Sequence, residues 1–473
     1  MSLAHRTQSV LCAMVFLMAC VGTATAQGES TAPALIARGK ALATAADCVA
    51  CHSEAGGKPF AGGLKLATPL GPIVASNITP STTAGIGKDT LAQFSRALRQ
   101  GIRADGSHLY PAMPYTAYAK LSDDDIGALY AYFMHGVAPV DTPAPQTKLP
   151  FPFNIRRSMA LWNAVYLDGK PFAAPSGASP EVARGAYLAE ALAHCDTCHT
   201  PRGFLMGPKN DQALAGGSLG TWYAPNITSD VNSGIGGWSE AELVNYLKNG
   251  VAPGKAQAAG PMAEVIEHSL RHLSDADLHA IAQWLKTTRP VHEAADSQPP
   301  YSWGNPGNRL ADVRGMPLPA HADEMSGPQI YDAQCASCHQ ANGAGRDSGL
   351  PSLFHNTALG HANSDNLVMA ILNGVVRQSD SSDVLMPAFG SQLSDIQVTT
   401  LSNYLLSMYG RPNASVSTRR VAELRTGGAA SPLLAVVRFG MGITTLVVLL
   451  FAILWLSRRR RRTVSPAGVE HVK

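Results

Sequence analysis

Cys48 and Cys51 sit three apart in "ADCVACHSEAGGKP", and His52 follows directly. The same unit returns as Cys195, Cys198 and His199 in "HCDTCHT", and as Cys335, Cys338 and His339 in "QCASCHQ". C-x-x-C-H is the attachment signature of c-type haem. The two thiols add across the haem vinyl groups, and the adjacent histidine is held beneath the iron as its proximal ligand. Zinc would need a second ligand pair, and the next C-x-x-C lies in a different repeat. A thioredoxin-like redox pair expects an α/β context that the surrounding sequence lacks. A disulfide across two intervening residues is strained. Recurrence at one place in a repeat therefore favours covalent haem c at all three.

The sixth ligand separates electron transfer from chemistry. A His/Met pair fills the iron, raises its potential and suits electron transfer. Each repeat offers a methionine before its last helix: Met113 in "YPAMPY", Met262 in "AGPMAE" and Met386 in "VLMPAF". The separation that carries Gly101 onto Gly250 also carries Met113 onto Met262. The one from Gly250 to Gly374 likewise carries Met262 onto Met386. The competing reading of such a residue is core filler, which suits Met134, Met206, Met369 and Met408, methionines without repeat partners. His268 and His272 are four apart in "EHSLRH". They read as a solvated helix face and are the reserve ligands should Met262 fail.

The elements that position these residues also repeat. "SNITPSTTAGIG" (76–87) returns as "PNITSDVNSGIG" (225–236), and "LRQGI" (98–102) as "LKNGV" (247–251). "LSDDDIGALYAYF" (121–133) matches "LSDADLHAIAQWL" (273–285) and "LSDIQVTTLSNYL" (393–405). Each of these last segments offers a serine N-cap, then apolar residues at helical spacing. The plan for each copy is helix, C-x-x-C-H, long loop, helix, methionine loop, helix, with no comparable strand signal. "NIT" at Asn77 and Asn226 matches a glycosylation triplet, but its repetition points to a shared turn. Pro-rich stretches separate the copies and predict extended surface crossings.

The chain has 473 residues, enough for about three domains. A formal charge of +3 argues against nucleic acid as a partner. No G-x-G-x-x-G or G-x-x-x-x-G-K-[ST] element marks a nucleotide site. The remaining cysteines, Cys12 and Cys20, fall in an apolar leader ending in "ATA", which reads as a signal peptide over 1–26. Near the other end, "FGMGITTLVVLLFAILWL" (439–456) is uncharged and long enough to span a bilayer, and "RRRRR" follows. The positive-inside rule puts those arginines in the cytoplasm and the preceding chain outside.

Together, the C-x-x-C-H motifs, the "NIT…GIG" segments, "FPFNIR…LWN" (151–163) and "GPMAEVIEHSLRHLSDADL" (260–278) resemble the triheme cytochrome c subunit of bacterial membrane-bound dehydrogenases. These are the quinoprotein alcohol dehydrogenases and the flavoprotein gluconate, sorbitol and fructose dehydrogenases. The resemblance covers about 33–410. It implies a mainly α fold of three tandem cytochrome c-like haem domains plus one C-terminal transmembrane helix. The expected layout is a first haem domain over 27–140, a linker over 141–177, a second domain over 178–288, a linker over 289–322 and a third domain over 323–412. A juxtamembrane linker (413–432), a membrane helix (433–457) and a basic cytoplasmic tail (458–473) follow.

The resemblance further implies an electron-transfer subunit with no substrate-oxidising site of its own. It would take electrons from a periplasmic catalytic subunit carrying pyrroloquinoline quinone or FAD, with or without a third small subunit. It would pass them through three covalent haems to ubiquinone in the inner membrane, as part of a respiratory chain. The haem domains would lie in the periplasm. Two other classes compete. A multihaem peroxidase or thiosulfate-oxidising cytochrome needs an open or displaceable iron ligand. A terminal-oxidase cytochrome subunit would more typically carry two haems.

Overall fold

The computed structural model describes residues 32–463, apart from 347–349, 379–382 and 430. The expected signal peptide and the end of the basic tail lie outside the described residues.

In the first repeat, α1 (Ala32–Ala45) runs into the short attachment helix α2 (Cys48–His52). Next come the hairpin of β1 (Lys65–Leu66) and β2 (Ile73–Val74), then α3 (Leu91–Gln100), the single turn α4 (Tyr115–Tyr118) and α5 (Asp123–His135). Ser122 caps α5 by accepting from the Asp125 amide. The stripe Ile126, Leu129 and Phe133 is buried against α1. The two helices cross at a glycine: a Cβ on Gly39 would lie 1.9 Å from the Ala128 carbonyl oxygen. Only glycine lets the backbones approach that closely.

A helix α6 (Met159–Tyr166) interrupts the linker expected to be extended. It packs on the first repeat, where Tyr115 Oη donates to Asn163 Oδ1 at 2.7 Å and Tyr110 Oη donates to the Phe153 carbonyl at 2.9 Å. The reason is local: "SMALWNAVY" lacks proline and glycine, and it carries the aromatic Trp162 that packs on Tyr115.

The second repeat opens with α7 (Pro180–Tyr187), which continues as one wider π-helical segment (Leu188–Leu192) before Cys195. The attachment helix α8 (Asp196–His199), the hairpin β3 (Gly217–Ser218) and β4 (Tyr223–Ala224), and α9 (Glu240–Asn249) follow. A second hairpin, β5 (Val251–Ala252) and β6 (Ala256–Gln257), leads to α10 (Pro261–His268) and α11 (Asp275–Thr287). Ser274 caps α11, and Leu278, Ile281 and Leu285 are buried. Gly185 repeats the glycine crossing, its ideal Cβ 1.9 Å from the Ala280 oxygen.

The third repeat comprises α12 (Gly327–Gln334), α13 (Ala336–His339), α14 (Thr357–Gly360) and α15 (Asp365–Asn373). The hairpin β7 (Val375–Arg377) and β8 (Val384–Met386) and the helix α16 (Asp395–Tyr409), capped by Ser394, complete it. Then α17 (Thr418–Arg425) precedes a long apolar helix, α18 (Leu433–Thr463). The segment 433–459 of α18 is long and apolar enough to cross a membrane.

The protein is mainly helical, as expected, and its strands are antiparallel ribbons of two or three residues each. The described residues form two hydrophobic cores. One joins the first and second repeats continuously, from Leu42 and Phe133 to Leu192 and Leu285. The other belongs to the third repeat and includes Ile330, Leu372, Leu401 and Leu405.

Candidate haem sites

Each C-x-x-C-H unit forms a short helix that ends at its histidine. All six cysteines are free thiols. Burial pushes the Cys48, Cys195 and Cys335 thiols up to about 12.

The histidines are fixed by backbone carbonyls. Nδ1 of His52 lies 2.7 Å from the Ser76 oxygen, that of His199 2.7 Å from the Pro225 oxygen, and that of His339 3.1 Å from the Pro351 oxygen. A carbonyl can only accept, so Nδ1 carries the proton and Nε2 keeps its lone pair for a metal. Burial lowers the pKa of all three imidazoles, which keeps them neutral.

The repeated "NIT" segments supply two of those carbonyls. Asn77 and Asn226 are buried just after Ser76 and Pro225. Asn77 Oδ1 accepts from the Thr79 amide and hydroxyl, while its Nδ2 donates to the Val140 carbonyl at 2.8 Å. Asn226 does the same with Thr228 and the Val291 carbonyl. The triplet is thus a buried turn that sets the histidine's acceptor, and its amide is not free to carry a glycan. In the third repeat the carbonyl comes from a loop without that triplet.

Met262 and Met386 line one apolar cavity of about 320 Å³. Cys195, Cys198 and His199 of the second repeat lie on its walls, and so do Cys335 and His339 of the third. Met262 does not sit in a loop: it occupies the first turn of α10, because Pro261 starts a helix well and cannot continue a ladder. Met386 ends β8. Met113 is half-buried in a turn against the shared core of the first two repeats. His268 and His272 are exposed, and His272 Nε2 is engaged 3.0 Å from the Glu267 carbonyl. Of the unpaired methionines, Met369 is buried in the third core and Met408 packs against it.

The donor set fits haem c: paired thiols, an imidazole with Nε2 available, a thioether and, around the second and third sets, apolar walls. No cluster of His, Cys, Asp and Glu suited to a bare metal ion is found among the described residues.

Sequence reasoning missed how the sets meet. Burial raises the Cys51 thiol to about 11, with Asp47, Cys198 and Glu264 adding to it. Ser269 Oγ donates to the Ala45 carbonyl at 3.0 Å, and Tyr118 packs edge-on against His194. The buried Asp47, in left-handed conformation at φ 51, is raised to about 8 by burial and by Glu264. No signal short of the fold would have paired these segments.

Helices crossing at a glycine, with a cysteine pair and a carbonyl-oriented histidine between them, define a c-type cytochrome. Residues 36–136 match the family model described as cytochrome c. Residues 322–405 match the one described as cytochrome c oxidase, cbb3-type, subunit III. The chain is 44% identical to the fructose dehydrogenase cytochrome subunit of Gluconobacter japonicus, over 90% of this chain and 92% of that one. It is 40% identical to the gluconate 2-dehydrogenase cytochrome c subunit of Pantoea cypripedii, over 83% and 90%. It is 38% identical to the cytochrome c subunit of the quinone alcohol dehydrogenase of Gluconobacter oxydans, over 89% and 88%. The chain belongs to this family of dehydrogenase cytochrome c subunits, whose work is electron transfer.

Proposed function

We propose that this chain is a membrane-anchored electron-transfer subunit with three haem c groups, in domains over 27–140, 178–288 and 323–412. It takes electrons from a catalytic subunit carrying pyrroloquinoline quinone or FAD and delivers them to ubiquinone. Cys48/Cys51, Cys195/Cys198 and Cys335/Cys338 hold the haems. His52, His199 and His339, together with Met113, Met262 and Met386, would ligate the irons. Haem c supplies a one-electron store at each site. The chain's part would be to ligate each iron with a histidine and a methionine, exclude water and set the potential.

The observation that carries the reading is the single apolar cavity bounded by the Cys-His-Met sets of the second and third repeats. Two haems held in one cavity would be close enough to exchange electrons, and an iron ligated by both a histidine and a methionine would offer no open position for peroxide chemistry. The printed names of the relatives support a dehydrogenase partner. The apolar segment 433–459 supports an anchor, with the arginines after it facing the cytoplasm and the repeats the periplasm.

Intact mass of the mature protein should correspond to three haems; a mass for two would remove one repeat from the relay. Replacing Met113, Met262 or Met386 with alanine, singly, should leave attachment intact and lower one potential. Electron flow to quinone should fall, while dye-coupled activity of the catalytic subunit persists. A variant that keeps all three potentials would exclude that methionine. A periplasmic reporter fused after Lys473 should be silent.

A further inference from the structure

The linker helix α6 has an inverted surface. Its half-buried residues Met159, Trp162, Asn163 and Tyr166 lie against the protein, while the residues it exposes are Ala160, Leu161, Ala164 and Val165. Leu161 is 75% exposed and Val165 63%. Single exposed apolar residues are ordinary on a soluble protein. A helix whose whole outer stripe is apolar is not. The patch extends at both ends. Phe151 and Ile155 are exposed just before the helix, and Trp162 Nε1 donates to the Leu205 carbonyl at 3.1 Å. That bond brings in a turn whose Phe204 and Leu205 are also exposed.

The depth of this patch relative to α18 is fixed by one contact. Arg438 is the last charged residue before the uncharged run 439–456, so its guanidinium must stay at headgroup level. Its Nε donates to the Phe151 carbonyl at 3.0 Å. Leu433, at the start of α18, is buried against the protein, and the Ser431 amide donates to the Pro69 carbonyl at 3.4 Å. Phe151 is therefore held where the span enters the bilayer. Exposed Arg157 adds a basic residue that favours the interface.

We propose that residues 151–166, together with the turn at 203–207, lie in the surface layer of the bilayer as a second, peripheral membrane contact. The proposal rests on reading 433–459 as a span. It turns the methionine loop of the first repeat toward the membrane, because α6 and its leading segment are bonded to that loop through Tyr110 and Tyr115. A lipid-soluble electron acceptor would then approach the first repeat from its Met113 side.

The test uses the purified complex in nanodiscs of phosphatidylethanolamine and phosphatidylglycerol. These contain a lipid with a photoactivatable diazirine on its acyl chain, and insertion sites are mapped by mass spectrometry. Insertion is expected in 439–456 and also in 151–165 and 204–205. Insertion confined to 439–456 would overturn the proposal, whether water or another subunit covers the linker. Absence of insertion in 439–456 would overturn the span itself, and the peripheral contact with it. In a Leu161→Asp/Val165→Asp variant, linker labelling should fall several-fold while haem content and span labelling hold. Both side chains are exposed, so the fold is spared, and undiminished linker labelling in that variant would also refute the contact.

Discussion

The first two repeats and the third are built on one local plan but joined in different ways. The first and second share a single apolar core, and contacts such as Ser269 Oγ to the Ala45 carbonyl tie the segments beside their attachment motifs together. The third keeps its own core and meets the second across a cavity and a set of polar contacts. Tyr223 and Asn366 exchange two such bonds, at 2.9 and 2.8 Å. Arg411 pairs with the buried Asp296 of the second linker at 2.8 Å. A shared core makes the first two repeats one mechanical unit. The third repeat is joined to the second by polar contacts and by Trp222, without the cores merging.

The largest effect that tests this difference comes from the glycine crossings. Gly185→Ala should cost about 3 kcal/mol, since its Cβ would meet the Ala280 carbonyl oxygen at 1.9 Å. Because that core is continuous, the first and second repeats should lose stability together in calorimetry, with the third unmoved. Gly327→Ala, whose Cβ would meet Tyr404 Cβ at 2.3 Å, should do the reverse. A Gly185→Ala protein whose first repeat melts at its usual temperature would break the comparison.

Arg377 tests the seam. It is fully buried, carried by β7 of the third repeat, and donates to the Ala258 carbonyl at 2.8 Å and to Gln257 Oε1 at 2.9 Å in the second. Its Nε has no partner among the described residues, and burial lowers its pKa. Arg377→Ala should cost about 2 kcal/mol through lost bonds and a void. It should also widen the gap between the two melting transitions. Arg377→Met should cost less, since a hydrophobe of similar length removes the desolvated charge while filling the space.

A smaller effect separates the repeats by the device that aims the histidine. Asn77→Ala or Asn226→Ala should cost about 1–2 kcal/mol each, by stranding buried partners of the turn. The third repeat has no such residue to lose. Thermal unfolding of the two variants should therefore shift only the first transition unit.

The amount of this that can be read from residues alone follows from range. The attachment motifs are contiguous in sequence. The N-caps Ser122, Ser274 and Ser394 act within one helical turn, and the "NIT" turn closes over two residues, so all were legible. Three features were not. The core uniting Leu42 with Leu285, the seat of Arg377 and the folding of α6 onto the Met113 loop each depend on segments far apart in the chain. Periodicity names a buried face but not the face that covers it. Met262 falls between these cases. Its place in the repeat was legible, but its helical setting was obscured because the other two methionines precede a proline and it follows one.

The smallest expected effect decides the second site. Met262 stands in the first turn of α10 with its side chain on the cavity wall, while His268 ends the same helix, about 9 Å further along the axis. His268 is exposed, and His272 lies beyond the helix with its ring engaged by the Glu267 carbonyl. Neither ring lines the cavity that His199 and Met262 share, and each imidazole now lies in water. His268→Ala and His272→Ala should each change stability by less than about 0.5 kcal/mol. Both should leave the spectrum and the three potentials untouched. If His268→Ala instead raised the potential of the second site, a histidine would be its resting ligand, since thioether ligation is the higher-potential state. The second repeat would then differ from the first in its iron chemistry despite sharing its core.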